Sequence, residues 1–396
     1  MKVQGIHHIS GIVRHPQENI DFYTSLLGLR LIKKAVNFDD ANTYHFYFGN
    51  KTGDSGTAIT YFPWNNRAEE GRVGDGQVGI VTYAIPRGSI SFWENRLNEF
   101  RVPFERLQRF NETYLFFRDK DGILSELVES DQGIINTHEY NGVTSEVAIK
   151  GFAGAVLYSR DFNKTKDFFI SVLGMNLLDE DNDYYRLKME GQVIGQTLDI
   201  FKRSIGRGRN STGTNHHIAL TVEDEELELF KTKIESMGLK VSDIKNRDFF
   251  RALYFREPGG IMIELSSSKP GFGSSNIDDE AKELYIPAHL ESRRAEIEET
   301  LIPVFVKATN VLNDYSYNTK SEYEEYLKHQ ALLKEINDFA KLAKTRELTL
   351  EENARRTELR KQYIAQIKNN VTQMTENIYI ENEDGSTKKL ERKSDK

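Results

Sequence analysis

The sequence predicts an α+β fold: four tandem βαβββ units followed by an α-helical hairpin. Three observations predict it. Gly5–Leu31 and Gly151–Leu177 align without a gap at an offset of 146, matching Gly5 with Gly151, Arg14 with Arg160, Asp21-Phe22 with Asp167-Phe168 and Leu27-Gly28 with Leu173-Gly174. The run Asp121-Gly122-Ile123-Leu124-Ser125-Glu126-Leu127 aligns at an offset of 138 with Gly259-Gly260-Ile261-Met262-Ile263-Glu264-Leu265. Beyond Pro303 the alternating patterns give way to helical periodicity.

The elements follow in order. Ile6–Val13 is an apolar opening run, followed by a helix with Ile20, Phe22-Tyr23 and Leu26-Leu27 on its apolar side; Gly28 sits where a helix C-terminal glycine belongs. The segments 43–48 and 57–61 alternate as strands do. The second copy, 76–129, places a helix over Ile90–Phe100, and the fourth, 213–267, one near Glu225–Met237. Past a connector, Leu332-Leu333, Ile336, Phe339-Ala340 and Ala343 trace one helical stripe. Thr349-Leu350-Glu351-Glu352 fits a capping box that opens a second helix with Leu359, Tyr363, Ile367, Val371 and Met374 on one face. The organisation expected is one pair of units over 1–135, a second pair over 145–300, a linker over 304–330, the hairpin over 331–380 and a disordered tail over 381–396.

Composition narrows the chemistry. With 23 Phe and 18 Tyr the chain can build a sizeable core. The absence of cysteine excludes disulfides, thiolate metal sites and a cysteine nucleophile, leaving N and O ligands for any metal. No stretch approaches a membrane span and no signal peptide opens the chain, so a cytoplasmic protein without a membrane partner is expected. Residues 1–330 carry 39 Lys+Arg against 49 Asp+Glu, a poor surface for nucleic acid.

Two His-His dipeptides, His7-His8 and His216-His217, each open a copy. Successive strand residues point to opposite faces, so one member of each pair is expected to face a shared site. The third copy has Ala153-Gly154 there and the second has no histidine around Val78-Gly79-Ile80. Copies one and four should therefore pair around the site, leaving a dead counterpart in which Glu126 is a structural relic.

These copies resemble the vicinal oxygen chelate superfamily over roughly residues 3–300, and within it the ring-cleaving dioxygenases of hydroquinones. The likeness rests on Gly5-Ile6-His7-His8-Ile9, Thr43-Tyr44-His45-Phe46-Tyr47-Phe48, Tyr83-Ala84-Ile85-Pro86, His216-His217, Arg247, Tyr254 and Pro258–Glu264. It implies cup-shaped mixed sheets and a metal held by His8, His217 and Glu264, a facial triad suited to Fe(II), with Mn(II) fitting the same ligands. It also implies catalytic roles near the substrate for His7, His216 and Tyr254 and an oxyanion-binding role for Arg247. The partners implied are a small aromatic diol and O2. The alternative reading is a glyoxalase-like lyase or isomerase, which usually takes a fourth protein ligand; a non-enzymatic drug binder would lack the triad. Residues 333–392 resemble the YnzC-like two-helix proteins of unknown function, through 336–344, 348–352 and 359–363. An exposed stripe on that hairpin suggests self-association into a homo-oligomer or docking onto the enzyme body, the alternative being a passive fused neighbour.

Overall fold

The computed structural model spans residues 1–396 and describes all but 66, 269–282, 377–378, 382–386 and 390–396, with backbone alone over 369–376, 379–381 and 387–389. It divides into two compact units, Met1–Thr319 and Lys320–Lys396.

In the larger unit, copy one contributes β1 (Ile6–Val13), α1 (Pro16–Ile20), β2 (Arg30–Asn37), β3 (Asp40–Gly49) and β4 (Ala58–Pro63). Copy two contributes β5 (Gln77–Ile85), α2 (Ile90–Glu99), β6 (Phe104–Arg109), β7 (Glu112–Arg118) and β8 (Leu124–Glu129). Copy three has β9 (Gly151–Tyr158), α3 (Phe162–Ser171), β10 (Asn176–Glu180), β11 (Tyr184–Lys188) and β12 (Thr197–Phe201). Copy four has β13 (Thr214–Val222), α4 (Leu227–Ser236), β14 (Lys245–Asn246), β15 (Arg251–Arg256) and β16 (Met262–Ser267). A short β17 (Leu284–Tyr285) and α5 (Arg294–Thr300) follow.

Among the described residues these strands make a nine-stranded sheet, ordered β14-β15-β16-β13-β1-β4-β3-β2-β17, and an eight-stranded sheet, ordered β10-β11-β12-β9-β5-β8-β7-β6. Copy one thus shares a sheet with copy four, as the placement of the histidines requires, and copy two with copy three. The seams are antiparallel, β1 against β13 and β5 against β9, while the first and last strands of each copy run parallel. One apolar cluster runs through all four copies, with Tyr23, Phe48, Trp93, Phe117, Phe169 and Phe230 buried in it. Truncating one of these rings to Ala would cost about 3–5 kcal/mol.

The first helix departs from the expected regular α-helix. It passes into a wider, π-type turn over Asp21–Leu26, where the Thr24 hydroxyl takes the Ile20 carbonyl at 2.7 Å. Gly28 ends it at φ +67°, and a Cβ there would stand 2.7 Å from Val143, so both conformation and space ask for glycine.

The stretch read as a linker, 304–330, divides in two. Through residue 319 it belongs to the larger unit and straps over the first helix: Gln17 exchanges two hydrogen bonds with the Phe305 backbone, Tyr315 donates to Asp21 at 2.6 Å, and the His15 ring meets the Tyr317 carbonyl at 2.8 Å. From Lys320 it is already helix. The smaller unit is a hairpin of α6 (Lys320–Leu342) and α7 (Leu350–Glu376), whose Leu332 and Leu359 are buried. The capping box forms, with Thr349 N donating to Glu352 at 2.8 Å and Glu352 N to Thr349 Oγ1 at 3.2 Å. Within the stretch expected to be disordered, 381–396, residues 382–386 and 390–396 lie outside the described residues; Tyr379–Glu381 and Thr387–Lys389 pair as strands β18 and β19. No helix among the described residues is long and apolar enough to cross a membrane.

Candidate metal centre

Three neighbouring strands of the nine-stranded sheet deliver the triad: His8 from β1, His217 from β13 and Glu264 from β16, all buried. The His217 Nε2 lies 2.9 Å from Glu264 Oε2, His8 Nε2 lies 3.6 Å from the same oxygen, and the two Nε2 atoms are 3.3 Å apart. Two donors each about 2.1 Å from one ion and at right angles about it sit about 3 Å apart, so this triangle has the size of one face of an octahedron. Glu264 Oε1 accepts from Ser266 at 2.6 Å, whereas Oε2 is buried with no hydrogen bond and faces the two imidazoles. Burial pushes the Glu264 carboxyl up, but His8, His217 and Ser266 together hold it below the ordinary carboxylate range. Burial keeps His8 neutral. Two buried imidazoles and a carboxylate with an orphaned oxygen, all within reach of one point, fit a divalent metal ion.

Strict alternation along a strand would turn His7 and His216 away from the ligands. Both instead sit at bulges. The β1–β13 register skips His7 between Ile6 and His8, and skips His216 between the pairs Ser10–His217 and Gly11–Asn215. The bulges bring His7 Nδ1 to 2.9 Å from His8 Nδ1, and His216 Nδ1 to 2.8 Å from His217 Nδ1. Burial lowers the two outer histidines to about 4 and about 3 respectively, so both are neutral at pH 7. His216 borders the cavity in front of the triad; His7 does not, and packs on Phe250 at 4.9 Å.

That cavity holds about 220 Å³ and has aromatic walls of Phe38, Phe62, Trp64, Phe250, Tyr47 and Tyr254. An apolar cavity of about 150 Å³ suffices for benzene, so one substituted ring fits. Arg247 and Tyr254 both reach it. Arg247 Nε donates to the Tyr254 hydroxyl at 3.3 Å and its Nη2 to Asp39 at 3.1 Å. Burial, and then the Glu264 carboxylate, hold the Tyr254 phenol well above its ordinary range, so it keeps its proton.

Sequence reasoning missed one group here. His45 lines the cavity, with Nδ1 hydrogen-bonded to Tyr47 Oη at 2.7 Å and Nε2 to Thr60 Oγ1 at 3.0 Å, one ring nitrogen donating and the other accepting, and Thr60 is bonded to Ser10 at 2.7 Å. The signal was in the strand. Tyr44, Phe46 and Phe48 enter the core, so period-two alternation puts His45 and Tyr47 on the opposite, cavity face.

Residues 5–127 and 151–265 match the Glyoxalase/Bleomycin resistance protein/Dioxygenase superfamily. The chain belongs to that superfamily. Residues 331–390 match a bacterial protein family of unknown function, DUF896. A relative from Bacillus subtilis, named "Putative ring-cleaving dioxygenase MhqO", is 44% identical over 308 residues, covering 77% of this chain and 98% of the relative. The "Chlorohydroquinone/hydroquinone 1,2-dioxygenase" of Sphingobium indicum is 29% identical over 309 residues, covering 76% and 96%. A crystal structure titled "putative dioxygenase" from Bacillus subtilis superposes with a TM-score of 0.75 at 43% identity, covering 78% of this chain and 99% of its own. Within the superfamily this chain is an oxidoreductase of the dioxygenase kind.

Proposed function

We propose that this protein is an iron(II)-dependent, extradiol-type dioxygenase that opens the ring of a hydroquinone or catechol, in the disposal of quinone-forming aromatic compounds. The observation carrying it is the triad of His8, His217 and Glu264 set at octahedral-face spacing behind a ring-sized aromatic cavity. The named activities of the relatives agree with it. When bound, a ferrous ion supplies adjacent positions for a deprotonated substrate hydroxyl and O2 and a route for electrons between them.

The chain's own residues do the rest. With Nε2 of each ligand turned to the metal, the neutral tautomer carries its hydrogen on Nδ1, so His8 donates to His7 and His217 to His216. Those bonds fix the two rings. The hydrogen of His216 is thereby left on its own Nε2, on a side chain that borders the cavity. Tyr254 accepts from Arg247 and keeps its own hydroxyl hydrogen, which it can offer to a substrate oxygen. Arg247 adds positive charge where a phenolate forms. The aromatic walls hold the ring and exclude water.

The test is anaerobic reconstitution with Fe(II), then oxygen consumption with a panel of hydroquinones and catechols. Uptake with diphenols is expected. Tight, stoichiometric metal binding with no uptake on any diphenol would replace this reading with a lyase or isomerase.

A further inference from the structure

The segments joining copies one to two and three to four cross each other near a pseudo-two-fold axis. Bridges run Glu70–Thr212, Arg72–Arg209 and Asp75–Arg207. The symmetry of these bridges makes Arg207 the counterpart of Glu70. The repeat makes Arg160 the counterpart of Arg14, Arg256 of Arg118 and Gly259 of Asp121.

The two ends of this belt have diverged in charge. At the first, Arg14 pairs with two carboxylates, Glu70 at 3.1 Å and Asp121 at 3.8 Å. At the second, glycine replaces Asp121 and arginine replaces Glu70. Arg160, Arg207 and Arg256 there line an open cleft of about 500 Å³ with one carboxylate, Asp75. That carboxylate is spent, one oxygen on the Ser204 hydroxyl and the other on the Ile205 amide. Among the described residues Arg160 and Arg207 join no ion pair, and Arg256 donates only to the Gly260 carbonyl, at 2.8 Å. Burial and the proximity of Arg160 lower the Arg256 guanidinium.

The cleft is also built to hold a guanidinium still. Arg160 lies between Gly76 and Gly260, both at positive φ, and a Cβ on either would stand 3.0 Å from it. An acidic body that concentrates three exposed, like-charged arginines in one recess has an anion as the natural missing partner.

We propose that Arg160, Arg207 and Arg256 form a binding site for a small oxyanion, a phosphate or a carboxylate. The site adjoins the metal cavity: Asn210, on its lining, reaches the His216 carbonyl at 3.5 Å. A carboxylate source would be the acid released by ring opening, a source that rests on the proposed function; a phosphate source does not.

Titration calorimetry on the full metal-loaded chain, with inorganic phosphate and separately with maleate, tests this. Saturable one-to-one binding is expected for at least one, weakened tenfold or more in R160Q/R207Q and unchanged in R14Q. R207E, on an exposed loop, gives this end the carboxylate the other end has and should abolish binding without unfolding the chain. Binding of maleate in preference to phosphate identifies a carboxylate ligand, and the reverse a phosphate. No saturable binding of either, or binding that persists in R160Q/R207Q, overturns the proposal.

Discussion

Where the nine-stranded sheet holds His8, the eight-stranded sheet holds Gly154; where it holds His217, Ile80; Glu264 and Glu126 alone are common to both. The backbone has kept even the irregularities. The β5–β9 register skips Gly79 and Ala153, the counterparts of His216 and His7. In the second sheet the space is filled by ions. Arg109 donates to Glu126 at 2.5 Å and to Asp199 at 2.6 Å, Thr82 donates to Glu126 at 2.6 Å, and Arg186 grips Asp199 and Glu112. Arg109 is the repeat counterpart of Arg247. One scaffold therefore holds a buried carboxylate in two ways: beside imidazoles, leaving one oxygen for a metal, or with guanidinium groups, leaving nothing to bind.

The largest effects should separate the two sheets by function. His217→Ala is expected to abolish stoichiometric metal binding and lower oxygen uptake by about 1,000-fold or more, since two ligands do not hold the ion. Metal analysis and an oxygen electrode decide it, and retained uptake removes His217 from the site. Arg109→Met should do the opposite. It strands Glu126 and Asp199 in the interior, costing about 3–5 kcal/mol in urea unfolding, while activity per folded molecule stays near wild type. A loss of turnover without a loss of stability would mean the second sheet is not a structural relic.

How much of this was legible in the sequence follows from the same contrast. The repeat showed the four copies and which of them pair, because candidate ligands present in copies one and four alone can meet only if those copies come together. Alternation also explains the shortfall. Applied strictly, it turned His7 and His216 outward, since a bulge is a register mismatch between two strands and leaves no mark on either one alone. His45 was passed over although the same alternation pointed to it. Arg109, Asp199 and Arg186 come from copies two and three, and no local pattern announces that they meet. The strap over residues 304–319 has no periodicity to read, being held by side-chain bonds to the first helix.

Within the metal sheet, Tyr254→Phe sharpens the contrast with its counterpart Phe116, which already lacks a hydroxyl. Metal content should be unchanged and kcat should fall about 100-fold, the usual worth of one positioned acid. An unchanged kcat would make the ring a wall of the cavity and nothing more.

The smallest effect concerns the turns that precede β8 and β16. Asp119 and its counterpart Glu257 are both buried, and each accepts two backbone amides and a hydroxyl: Ile123, Asp121 and Tyr23 for the first, Gly259, Ile261 and Thr165 for the second. They differ in one neighbour, since Asp121 stands where copy four has Gly259. Burial, and then Asp121, push the Asp119 carboxyl up to about 8. Its unfolded value is about 3.9, so between those limits the folded chain holds a proton that the unfolded chain has released, and stability must fall as pH rises. Asp119→Asn keeps the acceptor oxygen and removes the titration. Urea midpoints at pH 6 and pH 8 should converge in D119N, where wild type loses about 1–2 kcal/mol more over that interval. Glu257→Gln should change the slope less, because no second carboxylate occupies the Gly259 position. Parallel pH curves for wild type and D119N would mean that Asp119 is ionised at pH 6, and that the three donors outweigh its burial.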